Sequence, residues 1–249
     1  MTVNEVFSFL QEWCPLSLAM PGDNPGFLVG DKNEKVKKIL VALDCTSELI
    51  EKAAKVGANL IVTHHPIIYA PLKNVTEKSR VYKLIKNGIS VISMHTNLDV
   101  AKGGINDCLA NALKLKNKTE LYNQEIDFTS RIGELEKPIS AEELAFFVKN
   151  TLGGNIRYND GKRLIKRVAV CGGSGSDMFI PALLSKADAL VTADIKHSLF
   201  ITANEKNFTI IDGGHFYTEN LIIEPLASYL KEKTNLEVIA SNITPIKNI

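Results

Sequence analysis

The sequence has 249 residues, 45% of them hydrophobic, and a formal net charge of +1, which suits one large α/β domain or two smaller lobes with proper cores. This balanced charge lacks the basic footprint of a protein that wraps a duplex, so nucleic acid is not an expected partner. We expect a cytoplasmic protein with no membrane partner, because no charged and apolar leader opens the chain and no apolar run approaches the roughly 20 residues that cross a bilayer. The scattered cysteines form no Cys-x-x-Cys pair, so we expect reduced thiols.

The first half of the chain predicts a βαβ pattern. A capping box from Thr2 to Glu5 indicates a short amphipathic helix, and a turn-rich segment of glycines and prolines follows at residues 21–26. Apolar, β-branched runs then alternate with helical stretches, as is typical of parallel sheets. The predicted strands cover residues 39–43, 60–63 and 89–94, and the predicted helices cover residues 47–56, 79–86 and 105–113.

The second half repeats this pattern after a polar stretch at residues 116–128, which we interpret as the boundary between two lobes. The predicted strands lie near residues 168–170, 189–192 and 208–211, with a capping box at Ser140 before them and a closing helix from about Thr218. The sequence thus predicts an α/β fold of two lobes with mainly parallel sheets. One lobe covers residues 1–125 and the other residues 126–249, with the option that the C-terminal segment packs back on the first lobe.

Two adjacent histidines end the strand predicted at residues 60–63. His64 and His65 follow Thr63, and Pro66 prevents the strand from continuing. Neighbouring side chains on a regular strand face opposite ways, so both imidazoles can serve one site only if the backbone bends there or if two metal ions lie on either side. We therefore expect a bend at the proline.

Two more strands are predicted to end in the same kind of residue. One leads to His95 and Asp99, and the other passes through two glycines to His215 and Glu219, which lie four residues apart and share a face if a helix includes both. Ligands gather at the carboxyl ends of parallel strands, so these residues are expected to converge. Three imidazoles and two carboxylates suit two divalent ions better than one. The predicted ligands are His64, His65, Asp99, His215 and Glu219.

Some of these residues also have ordinary structural interpretations. A single histidine at a strand end is more often a hydrogen-bonded structural residue than a metal ligand, but the chain has only five histidines and three of them stand at such ends. His95 is better interpreted as an outer partner that orients a ligand than as a ligand itself.

A glycine-rich loop and a lysine are weaker candidates for substrate binding. Gly172, Gly173, Ser174 and Gly175 lie between a predicted strand and a helix, where backbone N–H groups can hold a phosphate, but the loop equally suits a tight turn. Lys196 and His197 follow another strand and either reach an anionic substrate or form a solvated surface.

Together these residues resemble the NIF-three-like family, also called type-two GTP cyclohydrolase I homologues or dinuclear-metal-centre hexameric proteins. The resemblance covers nearly the whole chain. It is carried by Asp23-Asn24 with Gly26 and Gly30, Leu43-Asp44, Thr63-His64-His65-Pro66, His95-Thr96-Asn97-Leu98-Asp99, Gly172-Gly173-Ser174-Gly175, and Gly214-His215 with Thr218-Glu219. The chain departs from a frequent family pattern after Lys196, which argues against a catalytic role for His197.

The resemblance implies that the same five residues bind two metal ions in a cleft between two α/β lobes, and that the chain assembles into a ring-shaped homohexamer. It implies a hydrolase that opens the guanine ring of GTP and releases formate. The loop at residues 172–175 and Lys196 would then receive the triphosphate. Zinc or iron is the expected metal, and manganese, cobalt and nickel are also compatible with such ligands.

Two other functions remain open at this stage. Paired metal ions serve many hydrolases, so a phosphoesterase would use the same ligands. A metal-binding, ring-shaped scaffold or regulator without catalysis is the non-enzymatic alternative. An open coordination position and a substrate pocket would favour an enzyme, whereas a closed site would favour a structural role.

Overall fold

The computed structural model describes residues 1–247, and the chain divides into two compact units. The first unit combines Met1–Lys102 with Ile222–Pro245. The second unit is formed by Gly103–Leu221 and by the chain from Ile246 as far as it is described. No helix in the described part of the chain is long and apolar enough to cross a membrane.

The first unit alternates strands and helices as the sequence predicts. Its elements are α1 (Val3–Trp13), β1 (Gly26–Val29), β2 (Lys38–Ala42), α2 (Ser47–Val56), β3 (Leu60–Thr63), α3 (Arg80–Lys86), β4 (Ser90–Ser93), α4 (Thr96–Val100), α10 (Ile223–Thr234) and β11 (Glu237–Ala240). Within residues 1–247, five strands form its sheet in the order β1-β4-β3-β2-β11. The pairs from β4 to β11 are parallel, and β1 pairs with β4 antiparallel.

The central strands of the first unit's sheet are buried along their whole length, because apolar residues cover the sheet. Helix α2 is capped by Thr46 and ends at Gly57 in the left-handed conformation. Its apolar face, Leu49, Ile50 and Ala53, packs with Leu40, Ile61 and Val91 of the strands. This core fixes the carboxyl ends of β2, β3 and β4 beside one another.

The second unit contains α5 (Ile105–Ala112), β5 (Lys116–Asn123), β6 (Phe128–Ile139), α6 (Ala141–Leu152), β7 (Arg157–Tyr158), β8 (Ile165–Val170), α7 (Phe179–Leu184), β9 (Ala189–Thr192), α8 (His197–Glu205), β10 (Thr209–Asp212) and α9 (His215–Glu219). In the described part of the chain its sheet has six strands in the order β5-β6-β8-β9-β10-β7. Only the pairs that β9 makes with β8 and β10 are parallel there. The expectation of a mainly parallel sheet is therefore corrected for this unit, whose sheet is mixed.

The polar stretch interpreted as a boundary between lobes forms a β-hairpin instead. Strands β5 and β6 pair antiparallel across residues 124–127. Strand β5 lies at the edge of the sheet and its first five residues are exposed, so its composition imitates that of a loop. The units divide between Lys102 and Gly103 rather than at residue 125, and the chain returns to the first unit at Ile222. There β11 pairs parallel with β2.

A buried ion pair ties α5 to the sheet of the second unit. Arg131 is almost fully buried in β6, and its guanidinium donates to both carboxylate oxygens of Asp107, with an Nε–Oδ1 distance of 2.6 Å and an Nη2–Oδ2 distance of 3.3 Å. Asp107 also accepts the N–H of Gly103. Burial alone would raise the pKa of Asp107, but the hydrogen bonds and charge of Arg131 outweigh it and lower this pKa.

Replacing Asp107 by Asn is expected to lower the free energy of unfolding by about 3 kcal/mol at pH 7, because a buried guanidinium loses its carboxylate partner. A carboxyl group with a lowered folded pKa stabilises the fold above its unfolded pKa, near 3.8, and this contribution is lost as the pH falls through the folded value. Urea unfolding at pH 7 and under acidic conditions measures both effects. The control is Glu120→Gln, which removes an exposed charge in β5; an equal loss in both variants would contradict the prediction.

Candidate metal centre

His64 and His65 lie side by side directly after β3. Their main-chain N–H groups donate to the carbonyl oxygens of Ala42 and Leu43, at 3.3 and 2.9 Å. The hydrogen bonding between β2 and β3 therefore continues beyond the end of β3. Their ring centroids are only 4.8 Å apart. Adjacent side chains on a regular strand would diverge, so the bend expected before Pro66 is present.

His64 is fully buried, and both of its ring nitrogens face oxygen atoms. Nδ1 lies 2.9 Å from the carbonyl oxygen of Met94, which can only accept, so Nδ1 carries the proton and donates it. Nε2 lies 3.8 Å from Oδ1 of Asp99. Asp99 belongs to the one-turn helix α4, which begins directly after His95. The sequence placed Asp99 beyond a strand end, and this short helix turns its carboxylate back towards His64.

His65 and His95 each form a hydrogen bond with an aspartate. Nδ1 of His65 donates to Asp44 at 2.9 Å, and Nδ1 of His95 donates to Asp23 at 2.8 Å. Asp23 also accepts the N–H and the hydroxyl of Thr96. Burial alone would raise the pKa of Asp23, but the hydrogen bonds from His95 and Thr96 outweigh it and lower this pKa to about 2. Asp23 is therefore ionised and holds the His95 ring in one orientation.

These three histidines form the first cluster, which lies within the first unit. Each offers one ring nitrogen, and the three nitrogens lie within 4.8 Å of one another. The His95 ring is 5.1 Å from the His64 ring, close to the 4.8 Å between His64 and His65. His95 thus stands as near to the cluster as the two predicted ligands, although the sequence predicts only an outer, orienting role for it.

His215 and Glu219 form the second cluster, which lies within the second unit. They occupy the two ends of the five-residue helix α9, and Nε2 of His215 lies 3.1 Å from Oε1 of Glu219. Nδ1 of His215 donates to Asp194 at 2.6 Å. Burial acts to lower the pKa of His215, but the hydrogen bonds and charges of Glu219 and Asp194 outweigh it and raise this pKa to about 9. The proton between Nε2 and Oε1 occupies a position that suits a cation.

The four imidazoles share one arrangement. In each of them Nδ1–H donates to an oxygen atom that can only accept, which leaves Nε2 as the nitrogen for a metal ion. The acceptors are the Met94 carbonyl and the carboxylates of Asp44, Asp23 and Asp194. Metal-binding histidines typically hold their second nitrogen in this way, and imidazole with carboxylate is a ligand set that zinc, iron, manganese, cobalt and nickel accept. The residues present therefore fit a transition-metal ion.

The glycine loop packs against the second cluster. Gly173 has a φ of +60°, and a β-carbon there would lie 2.1 Å from Oε1 of Glu219 and 3.2 Å from Nε2 of His215. The N–H groups of its three glycines are already donated to side-chain oxygens. The pairs are Gly172 with Asn106, Gly173 with Thr218, and Gly175 with Thr192. The phosphate-binding interpretation is thereby disfavoured, because these N–H groups are buried and engaged; the tight-turn interpretation explains the glycines.

The remaining substrate candidates lie on the surface. Ser174 is the exposed member of the loop. Lys196 is the residue before α8 and His197 is its first residue, and both side chains are exposed. Both side chains are therefore accessible to solvent and to an anionic substrate.

Three aspartates that accept hydrogen bonds from these histidines were not among the site residues predicted from the sequence. Asp44 and Asp194 follow β2 and β9 by two residues, and Asp23 lies in the turn-rich segment near the start of the chain. The rule that selected His64, namely polar residues at the ends of parallel strands, also selects Asp44 and Asp194. Asp23 had no such signal, because its partner His95 is 72 residues away.

These observations define an α/β protein that carries two clusters of histidine and carboxylate suited to metal ions. The sequence model of the Duf34/NIF3 (NGG1p interacting factor 3) family matches residues 1–246, and the chain belongs to this family. The resemblance inferred from the sequence motifs is thus confirmed.

Curated relatives and solved structures agree with this assignment. A protein named GTP cyclohydrolase 1 type 2 homolog from Clostridium perfringens is 34% identical over 96% of this chain and 94% of its own length. A protein of the same name from Methanocaldococcus jannaschii is 33% identical over 96% of this chain and 99% of its own length. The crystal structure of Staphylococcus aureus protein SA1388 has a TM-score of 0.91 at 29% identity, covering 100% of this chain and 99% of the other. Reduced HcgD from Methanocaldococcus jannaschii has a TM-score of 0.84 at 31% identity, covering 96% and 97%.

Replacing Gly173 by Ala is expected to displace the Glu219 carboxylate and to raise the dissociation constant for Zn²⁺ at least about 10-fold, because the new methyl group occupies the place of Oε1. The variant is also expected to be less stable by about 1–2 kcal/mol, because alanine disfavours a positive φ. Competition titration with a chromophoric chelator measures the affinity. Ser174→Ala in the same loop is the control, and unchanged zinc affinity in Gly173→Ala would contradict the prediction.

Proposed function

We propose that the chain binds two divalent metal ions, with ligands from both clusters and from Asp99, and that it is a metal-dependent hydrolase. The observation that carries the proposal is the shared arrangement of the imidazoles, which orients each Nε2 by a hydrogen bond at Nδ1. A single hydrogen bond of this kind also occurs in structural histidines, but the three histidines of the predicted ligand set all share it, as metal-binding histidines typically do. The proposed ligands are His64, His65, Asp99, His215 and Glu219.

Four of the five proposed ligands already form two facing pairs. His64 and Asp99 would share one ion, since Nε2 and Oδ1 already face each other at 3.8 Å. His215 and Glu219 would present a nitrogen and an oxygen from one helical turn. Zinc or iron suits this set best, and manganese, cobalt and nickel are also compatible. A bound pair of such ions lowers the pKa of water and stabilises negative charge on the group under attack.

The substrate we propose is GTP, with hydrolytic opening of the guanine ring and release of formate. Its support is the name carried by the curated relatives, GTP cyclohydrolase 1 type 2 homolog, at 33–34% identity over 96% of the chain. Within the site, His95 is the group available to accept or donate a proton, because Asp23 holds its Nδ1 and leaves Nε2 for exchange. Lys196 is the candidate contact for the triphosphate.

The same family resemblance supports a homohexamer as the working assembly. Light scattering on the purified chain tests this part separately from the chemistry. A mass near six times that of the chain is expected, and a monomer would contradict it.

Elemental analysis of the chain purified without chelators is expected to find about two divalent ions per chain, as paired-metal sites hold. His215→Ala and Asp99→Ala are each expected to lose at least one ion. His197→Ala is the matched control, because it removes an exposed histidine outside both clusters. Wild-type chain with no bound metal after incubation with zinc or iron would sink the proposal.

Incubating the metal-filled chain with GTP is expected to release formate together with a ring-opened product, measured by coupled formate assay and mass spectrometry. Asp99→Ala is expected to lose at least about 100-fold in rate, because a missing metal ligand removes charge stabilisation at the reacting centre. A panel of other nucleotides and phosphoesters is assayed in parallel. Turnover of a phosphoester alone would replace the substrate assignment, and no turnover with both ions bound would favour a metal-binding scaffold.

A further inference from the structure

Asp194 has a backbone conformation that its position does not explain. Its φ is +56°, a region that residues with a β-carbon enter rarely, although aspartate tolerates it better than most. Lys186, Asn207 and Asn235 have similar angles, but each lies just beyond the end of a helix, where this conformation is common. Asp194 instead follows strand β9 by two residues and precedes α8.

The residues on both sides of Asp194 are held in place by hydrogen bonds and by burial. The N–H of Ala193 donates to the carbonyl of Gly173 at 2.9 Å, and the N–H of Ile195 donates to the carboxylate of Asp212 at 3.3 Å. The side chains of Ala193 and Ile195 are both buried. An unfavourable backbone angle persists only where the surroundings determine it in this way, and such residues concentrate at functional sites.

The side chain of Asp194 uses this conformation for one contact. Its Oδ2 accepts the Nδ1–H of His215 at 2.6 Å, on the side of the ring opposite to Glu219. The Asp194 side chain is 54% exposed, so burying it contributes little to the fold. Glycine would adopt the same angle without steric cost. The carboxylate, rather than the backbone, is therefore what distinguishes aspartate here.

We propose that Asp194 is a positioning residue for the metal centre: its carboxylate, presented from an unfavourable backbone conformation, holds the His215 ring so that Nε2 faces Glu219 and a bound ion. This inference rests on the proposed function, because it requires a metal ion at His215. It differs from a purely structural role in its consequence for a bound ion. The Asp194 carboxylate also pairs with the His215 ring in the metal-free chain, so the distinguishing result is a changed metal affinity and ligand geometry rather than a changed stability.

The test compares Asp194→Gly and Asp194→Asn with the wild-type chain. In Asp194→Gly the dissociation constant for Zn²⁺ is expected to rise about 10–100-fold, as when other hydrogen-bond partners of metal ligands are removed. Two opposing effects act on the Tm of the metal-free variant, since the relieved backbone raises it and the lost pair with His215 lowers it. A net change of no more than about 4 °C in either direction is expected. Asp194→Asn still accepts the hydrogen bond and is expected to bind zinc with an affinity between the two.

A spectroscopic measurement separates positioning from a general loss of affinity. The chain filled with Co²⁺ shows absorption bands set by the geometry of its ligands. Asp194→Gly is expected to shift these bands because the His215 ring is no longer held. Unshifted bands would contradict a positioning role.

Lys186→Gly is the matched control, because Lys186 is exposed, has a φ of +58° and lies in the same unit. It is expected to raise the Tm through the relieved backbone alone and to leave zinc affinity unchanged. Wild-type zinc affinity in Asp194→Gly or an equal loss of affinity in Lys186→Gly would each overturn the inference. A wild-type chain that binds no zinc is recognised in the first titration and overturns the proposed function itself.

Discussion

The candidate site depends on one constraint, which is that each imidazole ring is held at Nδ1 so that its Nε2 points in one direction. A histidine side chain rotates about two bonds, and a hydrogen bond at Nδ1 removes that freedom while fixing which nitrogen carries the proton. The structure meets this constraint with one carbonyl, that of Met94, and three carboxylates. The acceptors in turn follow or lie close to the ends of buried strands, so the cores of the two units determine the geometry of the histidines.

Much of the first unit follows from the periodicity of its sequence. The helix predicted at residues 47–56 and the strand predicted at residues 60–63 coincide with α2 and β3, because continuous β-branched runs and a Thr46 cap give unambiguous local signals. The pair His64 and His65 follows from the same argument, with the proline supplying the bend. The second unit was harder to predict from the sequence. Its edge strand β5 begins with five exposed residues and has no apolar pattern there, and only its pairing with β6 makes it a strand.

The candidate site was only half predictable for a similar reason. Ligand residues are chemically distinctive, so a strand that ends in histidine is noticeable in the sequence. The carboxylates that orient these ligands are not noticeable in the sequence, because aspartate is common in turns, where it forms hydrogen bonds with the nearby backbone. Asp23 and His95 are joined by folding alone, across 72 residues. The glycines at residues 172–175 have two interpretations in the sequence, and the hydrogen bonds that their N–H groups make within the structure distinguish between them.

The return of the chain at Ile222 bears on the order in which the protein can acquire its structure. The second unit is almost continuous in sequence, so its sheet can close once residue 221 has left the ribosome. The first unit begins earlier but waits for β11, which covers the open side of β2, and for α10. Until β11 has been translated, β2 exposes an unpaired edge that consists mostly of buried residues. A nascent chain stalled before residue 237 would therefore expose the edge of β2 to pairing with other chains. We expect chaperones to bind such a chain mainly at the first unit.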